Sequence, residues 1–169
     1  MVIDPDDSDA EERKLSQTIV IDRDLGRALL VYHKAGRWEG FYTGLLGEAT
    51  PNEDPAAAAE RIAREQVGIE PGPLSHRATF LFSSEAWGRA RESEFLAEGC
   101  EGTPVESDAL RPEWFDFASI PYDRMPADDA IWYPPFLSGR RMRGRFDFAP
   151  DGQTLIAHEI TEVESDGTP

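Results

Sequence analysis

Two groups of residues in this sequence have the types and spacing to do chemistry. The first lies in Gly47-x5-Glu53-x7-Arg61-Ile62-Ala63-x-Glu65-Gln66-x-Gly68-Ile69. The second is the adjacent pair Asp128-Asp129. Oxygen-bearing side chains one turn apart on a helix can seat a divalent cation. Adjacent carboxyls in a closed pocket share a proton, so that the pair offers both a hydrogen-bond donor and an acceptor. Each group also has a plainer reading. Gln66 would be a satisfied core amide and Glu65 a solvated edge residue, while Asp128 or Asp129 would cap a helix.

These residues depend on the elements that carry them. Asp54 is a good N-cap, Pro55 suits the first helical position and Gly68 suits the end, so a helix is predicted over 55–67. At about 100° per residue with Ile62 at the origin, Ala58, Ala59, Ala63, Ala56 and Val67 share its side, and Glu60, Arg61 and Arg64 lie opposite. Gln66 falls inside the apolar arc at about 40° and Glu65 on its edge at about −60°. A second, irregular helix is expected over 128–137, because Pro134 and Pro135 interrupt it. Strands are expected at 17–21, 28–33, 40–46, 78–83, 93–97 and 114–117, with a closing hairpin of 143–148 and 154–163 around Pro150-Asp151-Gly152. Many strands and two helices give an α/β fold.

The first segment resembles the Nudix box, of form G-x5-E-x7-R-E-U-x-E-E-x-G-U with U aliphatic. Gly36-Arg37-Trp38-Glu39-Gly40-Phe41 resembles the segment that enters the box, and two further stretches are similar to the oxidised purine nucleoside triphosphate hydrolases within that superfamily: residues 102–115 from Gly102-Thr103-Pro104-Val105 to Trp114-Phe115, and Met125-Pro126-Ala127-Asp128-Asp129-Ala130-Ile131-Trp132-Tyr133-Pro134. The resemblance covers 16–163 and implies a Nudix α/β/α sandwich, with a mixed sheet between helices. It also implies hydrolysis of an 8-oxo-dGTP-like substrate to nucleoside monophosphate and pyrophosphate with Mg²⁺ or Mn²⁺. By the same resemblance Glu65 and Gln66 are catalytic candidates, Glu65 is a metal ligand, and Gly47, Glu53, Arg61 and Gly68 shape the box, with Glu53 and Arg61 bracing it as an ion pair. Asp128, Asp129, Glu39 and Trp132 are the substrate-binding candidates.

The departures from the family pattern are chemically pointed. Ile62 stands where the box has a metal-holding Glu, Gln66 replaces a second, and Ala109 takes the place of a further acid. Isoleucine cannot bind a hard cation, and a single carboxylate holds Mg²⁺ poorly. Glu48, Glu60, Glu106 and Asp108 are the neighbours that could replace the lost oxygens. In the base pocket, Pro126 replaces a stacking aromatic and Glu39 replaces an Asn. Two functions follow as expectations: a nucleoside triphosphate hydrolase, or a catalytically impaired Nudix domain that binds nucleotide as a sensor or interaction module.

Composition narrows the setting. The chain has 169 residues, one domain's worth, with 33 acidic against 17 basic residues and a net charge of −16. Lys14 and Lys34 are the only lysines. Such a field repels nucleic acid, and molar salt would screen its self-repulsion, so a halophilic cytoplasm is the expected setting. No apolar run is long enough to span a membrane, no secretory leader opens the sequence, and the lone Cys100 cannot form an internal disulfide. The expected organisation is an acidic disordered lead-in over 1–15, one domain over 16–163 and a frayed tail over 164–169. A small-molecule nucleotide is the expected partner, and a monomer the expected state.

Overall fold

The computed structural model describes residues 12–164. The strands, in chain order, are β1 (Glu12–Asp22), β2 (Arg27–His33), β3 (Tyr42–Thr43), β4 (Leu45–Glu48), β5 (Glu70–Pro71), β6 (Leu74–Ser84), β7 (Gly88–Glu98), β8 (Cys100–Glu101), β9 (Leu110–Asp116), β10 (Arg141–Phe148) and β11 (Leu155–Val163). The helices are α1 (Pro55–Val67) and α2 (Asp129–Leu137).

The main sheet runs β11-β10-β6-β7-β1-β2-β3, with β4 added on β1 and β9 on β2. Its β1–β7 and β6–β10 pairs are parallel and its other pairs antiparallel. β1 divides its partners on one side, pairing Leu15–Thr18 with β4 and Val20–Asp22 with β2. The change of partner falls at Ile19, and Gln17 just before it lines the cavity described below.

Period-2 alternation sorts the core onto two faces. Ile19, Ile21, Ala28, Leu30, Phe80, Leu96 and Phe146 pack with Trp132, Tyr133 and Phe136 of α2. Val20, Leu29, Val31 and Ala97 pack with Ala63 and Val67 of α1 on the other face. The expected α/β arrangement, a mixed sheet with helices on both sides, is therefore present.

α1 begins and ends where its sequence signals place it. The Asp54 carboxylate accepts from the Ala56 and Ala57 N–H groups, a cap of the kind that contributes about 1 kcal/mol. Gly68 ends the helix at φ 71°, and its N–H donates to the Arg64 carbonyl.

Several expectations need correcting. Residues 12–15 are not lead-in: they form the start of β1, paired in parallel with Arg89–Glu92, and Arg91 is ion-paired to Glu12 at 2.8 Å. Residues 1–11 of the expected lead-in and 165–169 of the tail lie outside the described residues. The strand expected over 40–46 is two short strands, because Gly44 sits where β1 changes partner. β6 and β7 form one long hairpin, so β7 starts five residues before the expected Ser93, at Gly88.

Candidate nucleotide site

α1 carries the first group of candidates, and local packing decides what they can do. Ile62 is 3% exposed and lies under Gly47; a Cβ at Gly47 would come within 2.9 Å of Ile62 Cγ1. The Gln66 amide donates to the Leu46 carbonyl at 2.7 Å, and its Oε1 is buried without a partner. Gln66 thus ties the end of α1 to β4. Glu65 points outward, 62% exposed, and pairs with Arg61 at 3.0 Å.

Arg61 organises the loop before the helix. Its guanidinium donates twice to Glu53, at 2.8 and 2.9 Å, and once to the Glu48 carbonyl at 2.9 Å. Those hydrogen bonds from Arg61, with one from the Thr50 N–H, hold the Glu53 carboxyl down at about 2. Glu53 and Arg61 are a structural clamp, and Gly47 and Gly68 give the close packing and the turn that the clamp needs.

The donors around α1 do not fit a divalent metal. Ile62 is apolar, Gln66 has turned its amide hydrogens to Leu46, and Glu65 is committed to Arg61. None of the four neighbours supplies the deficit. Glu48 pairs with Arg13, Glu106 pairs with Lys34, and Glu60 and Asp108 are exposed. Among the described residues, no three His, Cys, Asp or Glu side chains come together in a way that could hold a metal ion. In a phosphate-cleaving site a metal would neutralise phosphate charge and activate water; this residue set supplies no seat for it.

The second group opens into a cavity of about 480 Å³, bounded by β1, β3, β4, β6, β7, β10, the start of α2 and the turn at 151–153. Asp128 and Asp129 line it, 4% and 3% exposed. Asp128 does not cap α2, since its side chain makes no capping bond. Its Oδ2 instead accepts from Trp132 Nε1 at 2.8 Å. Burial raises both carboxyls, and Asp128 beside it raises Asp129 further, well above the ordinary range. A pair shifted in this direction favours one protonated member, which can donate to a ligand edge while the other accepts.

The remaining candidates fall outside the cavity lining. Trp132 is fully buried and touches Asp128, which makes it a positioning residue. Glu39 is exposed in the turn after β2, where its N–H donates to the Gly36 carbonyl. Pro126 does line the cavity.

The site also contains residues that the sequence reading passed over. Glu92 and Glu94 face inward from β7, in phase with Ala90 and Leu96, and are 7% and 0% exposed. Gln17 on β1 donates to both, at 3.0 and 2.9 Å, and accepts from the Gly44 N–H at 2.8 Å. Burial pushes Glu92 up to about 7 and Glu94 well above its ordinary range. Near the opening, the Arg37 guanidinium sits 4.8 Å from the rings of both Trp38 and Trp87. A signal for the glutamates was present: acids at i and i+2, in phase with Ala90 and Leu96. It was missed because the strand was started one residue after Glu92.

Comparison with known proteins agrees with this architecture. The NUDIX domain model matches residues 12–137. A Danio rerio protein named oxidized purine nucleoside triphosphate hydrolase is 34% identical over 150 residues, covering 87% of this chain and 94% of that one. Its Mus musculus namesake is 34% identical over 134 residues, covering 78% and 81%. The crystal structure of a mutator MutT protein from Bacillus halodurans superposes with a TM-score of 0.76 at 21% identity, over 93% of this chain and 99% of that one.

Proposed function

Because this chain belongs to the NUDIX domain family, we propose that it acts on modified purine nucleoside triphosphates, releasing nucleoside monophosphate and pyrophosphate. The observation that carries this reading is the adjacent Asp128–Asp129 pair, buried in the wall of a cavity of about 480 Å³. The relatives named for oxidised purine triphosphates support the substrate class. In this reading the pair grips the edge of the base, Trp132 holds Asp128 in place, and the wall around them excludes water. Glu65 is the residue of α1 that would have to leave Arg61 to take part.

A second reading is favoured by α1 itself: a domain that binds the nucleotide without cleaving it. Ile62 under Gly47 and Gln66 on Leu46 remove the oxygens that Mg²⁺ or Mn²⁺ would need. A monomer working in a salt-rich cytoplasm suits either reading, given the charge of −16. Among the described residues no helix is long and apolar enough to cross a membrane.

One assay separates the two. The protein is incubated with 8-oxo-dGTP and Mg²⁺ or Mn²⁺ in concentrated KCl, and pyrophosphate release is measured alongside equilibrium binding. Turnover abolished by Glu65→Gln establishes the hydrolase. Saturable binding that weakens in Asp128→Asn, with no pyrophosphate formed, establishes the binding domain. Absence of both rejects a nucleotide function for the cavity.

A further inference from the structure

We propose that Arg37, at the mouth of the cavity, grips the phosphate chain of the bound nucleotide directly, so that the chain is held there without a metal ion. The inference rests on the reading that the inner end of the cavity takes the base.

The cavity has a direction, and the β1–β7 pairing measures it. Gln17 stands opposite Glu94, Leu15 opposite Glu92 and Arg13 opposite Ala90. At about 3.3 Å per residue, Arg13 lies about 13 Å along β1 from Gln17. Gln17, Glu92, Asp128 and Asp129 are buried, whereas Arg13 is partly exposed and Arg37 is exposed. Trp87 precedes β7 at that outer end, and its indole N–H donates to the Gly152 carbonyl at 3.2 Å. The Arg37 guanidinium stands 4.8 Å from the Trp87 ring and 4.8 Å from that of Trp38. The cavity therefore has carboxyls inside and guanidinium groups at its mouth. A nucleotide has the matching polarity, with a base at one end and an anionic chain at the other.

The setting of Arg37 suits it to an anion. A guanidinium stacked on aromatic rings keeps its in-plane N–H groups free, and that fork matches two oxygens of a phosphate. Acids outnumber bases 33 to 17 in this chain, yet among the described residues Arg37 makes no ion pair. The carboxylates that share the lining are engaged elsewhere. Glu48 pairs with Arg13 at 3.4 Å, and Asp151 accepts from the Gln153 and Thr154 N–H groups, both at 2.8 Å. Glu92, whose charge reaches Arg37, accepts from Gln17. The charge of Arg13 also reaches Arg37, so two cations face one opening, and an anion between them would relieve their repulsion.

The residues of α1 sharpen the point. They supply no seat for a divalent ion, so the charge of a triphosphate has to be met by side chains. Arg37 is a cation of the cavity lining that no carboxylate holds.

The test is equilibrium binding in EDTA, which requires no turnover. Affinities for 8-oxo-dGTP and for its nucleoside, 8-oxo-deoxyguanosine, are measured calorimetrically at neutral pH. A charge-assisted contact is worth about tenfold or more, so the triphosphate should bind the native protein at least about tenfold more tightly than the nucleoside. Arg37→Gln should remove about tenfold of the triphosphate affinity and leave that of the nucleoside unchanged, with far-UV circular dichroism confirming that the variant is folded. A triphosphate bound no more tightly than the nucleoside overturns the inference. So does a folded Arg37→Gln variant that binds the triphosphate as the native protein does. Equal losses for both ligands also overturn it, since they would make Arg37 a brace between the turn after β2 and the β6–β7 hairpin. In all three cases the base-cavity reading stands where Asp128→Asn weakens both ligands. If neither ligand binds the native protein, the inference and the reading beneath it fail together.

Discussion

The Gln66 amide donates to the Leu46 carbonyl at 2.7 Å, and this bond joins the last turn of α1 to β4 beside the loop that Arg61 clamps. A carboxylate at position 66 would have no hydrogen to give and would face that carbonyl oxygen. Gln66→Glu is therefore expected to lower stability by about 1–3 kcal/mol, read from urea unfolding at neutral pH. A variant as stable as the native protein would show that the bond contributes nothing.

Ile62 meets the same loop from below. Ile62→Glu places a carboxylate in a 3% exposed position under Gly47 and should destabilise strongly on its own. Combined with Gln66→Glu, it restores two oxygen donors near Glu65. The double variant is expected to gain thermal stability on addition of Mg²⁺, whereas the native protein is not. If Mg²⁺ leaves the melting temperature of the double variant unchanged, these positions cannot form a metal seat.

The two sets of shifted carboxyls make opposite predictions about pH. Glu53 is held at about 2, below its ordinary value, by hydrogen bonds from Arg61. Its contribution is present above about pH 4.5 and is lost as pH falls toward 2. Arg61→Ala should remove that part of the acid dependence. Melts between pH 2 and 5 that overlay those of the native protein would contradict it.

Glu92 is raised to about 7, chiefly by burial. A buried acid that prefers its proton contributes stability below its unfolded value of about 4.5, and that contribution is lost as pH rises to about 7 and beyond. Glu92→Gln/Glu94→Gln keeps hydrogen-bonding groups but no titrating ones. Its melting temperature should therefore fall less than that of the native protein between pH 5 and 8. Parallel curves for the two proteins would mean that the glutamates do not titrate there.

The charge of −16 predicts a response to salt. At molar ionic strength the screening length falls to about 3 Å and long-range repulsion disappears. The melting temperature should climb from dilute buffer to multimolar KCl, and a flat profile would remove the case for a salt-rich setting.

Much of the fold was legible in the sequence because it is written in local signals. Asp54, Pro55 and Gly68 mark both ends of α1 through capping and backbone preference, which need no distant partner. The spacing of Gly47, Glu53 and Arg61 marks the loop that Arg61 closes, and the adjacent Asp128 and Asp129 are the pair that lines the cavity. Ile62 and Gln66 already showed that metal-holding oxygens had been lost.

What the tertiary structure decided are matters of which partner a side chain meets. Asp128 stands next to a helix start and reads as a cap, yet its carboxyl turns to the Trp132 indole, because α2 packs that ring into the core. Trp132 itself reads as a ligand contact and is sealed away. Glu39 belongs to a matching segment but is left on the surface by the turn after β2. Gln17, Glu92 and Glu94 lie on two strands far apart in sequence, and only the parallel pairing of β1 with β7 brings them together. Capping and periodicity act over one or two turns of chain and can be read from the residues alone, whereas burial and the hydrogen bonds it compels are set by what the rest of the fold places opposite them.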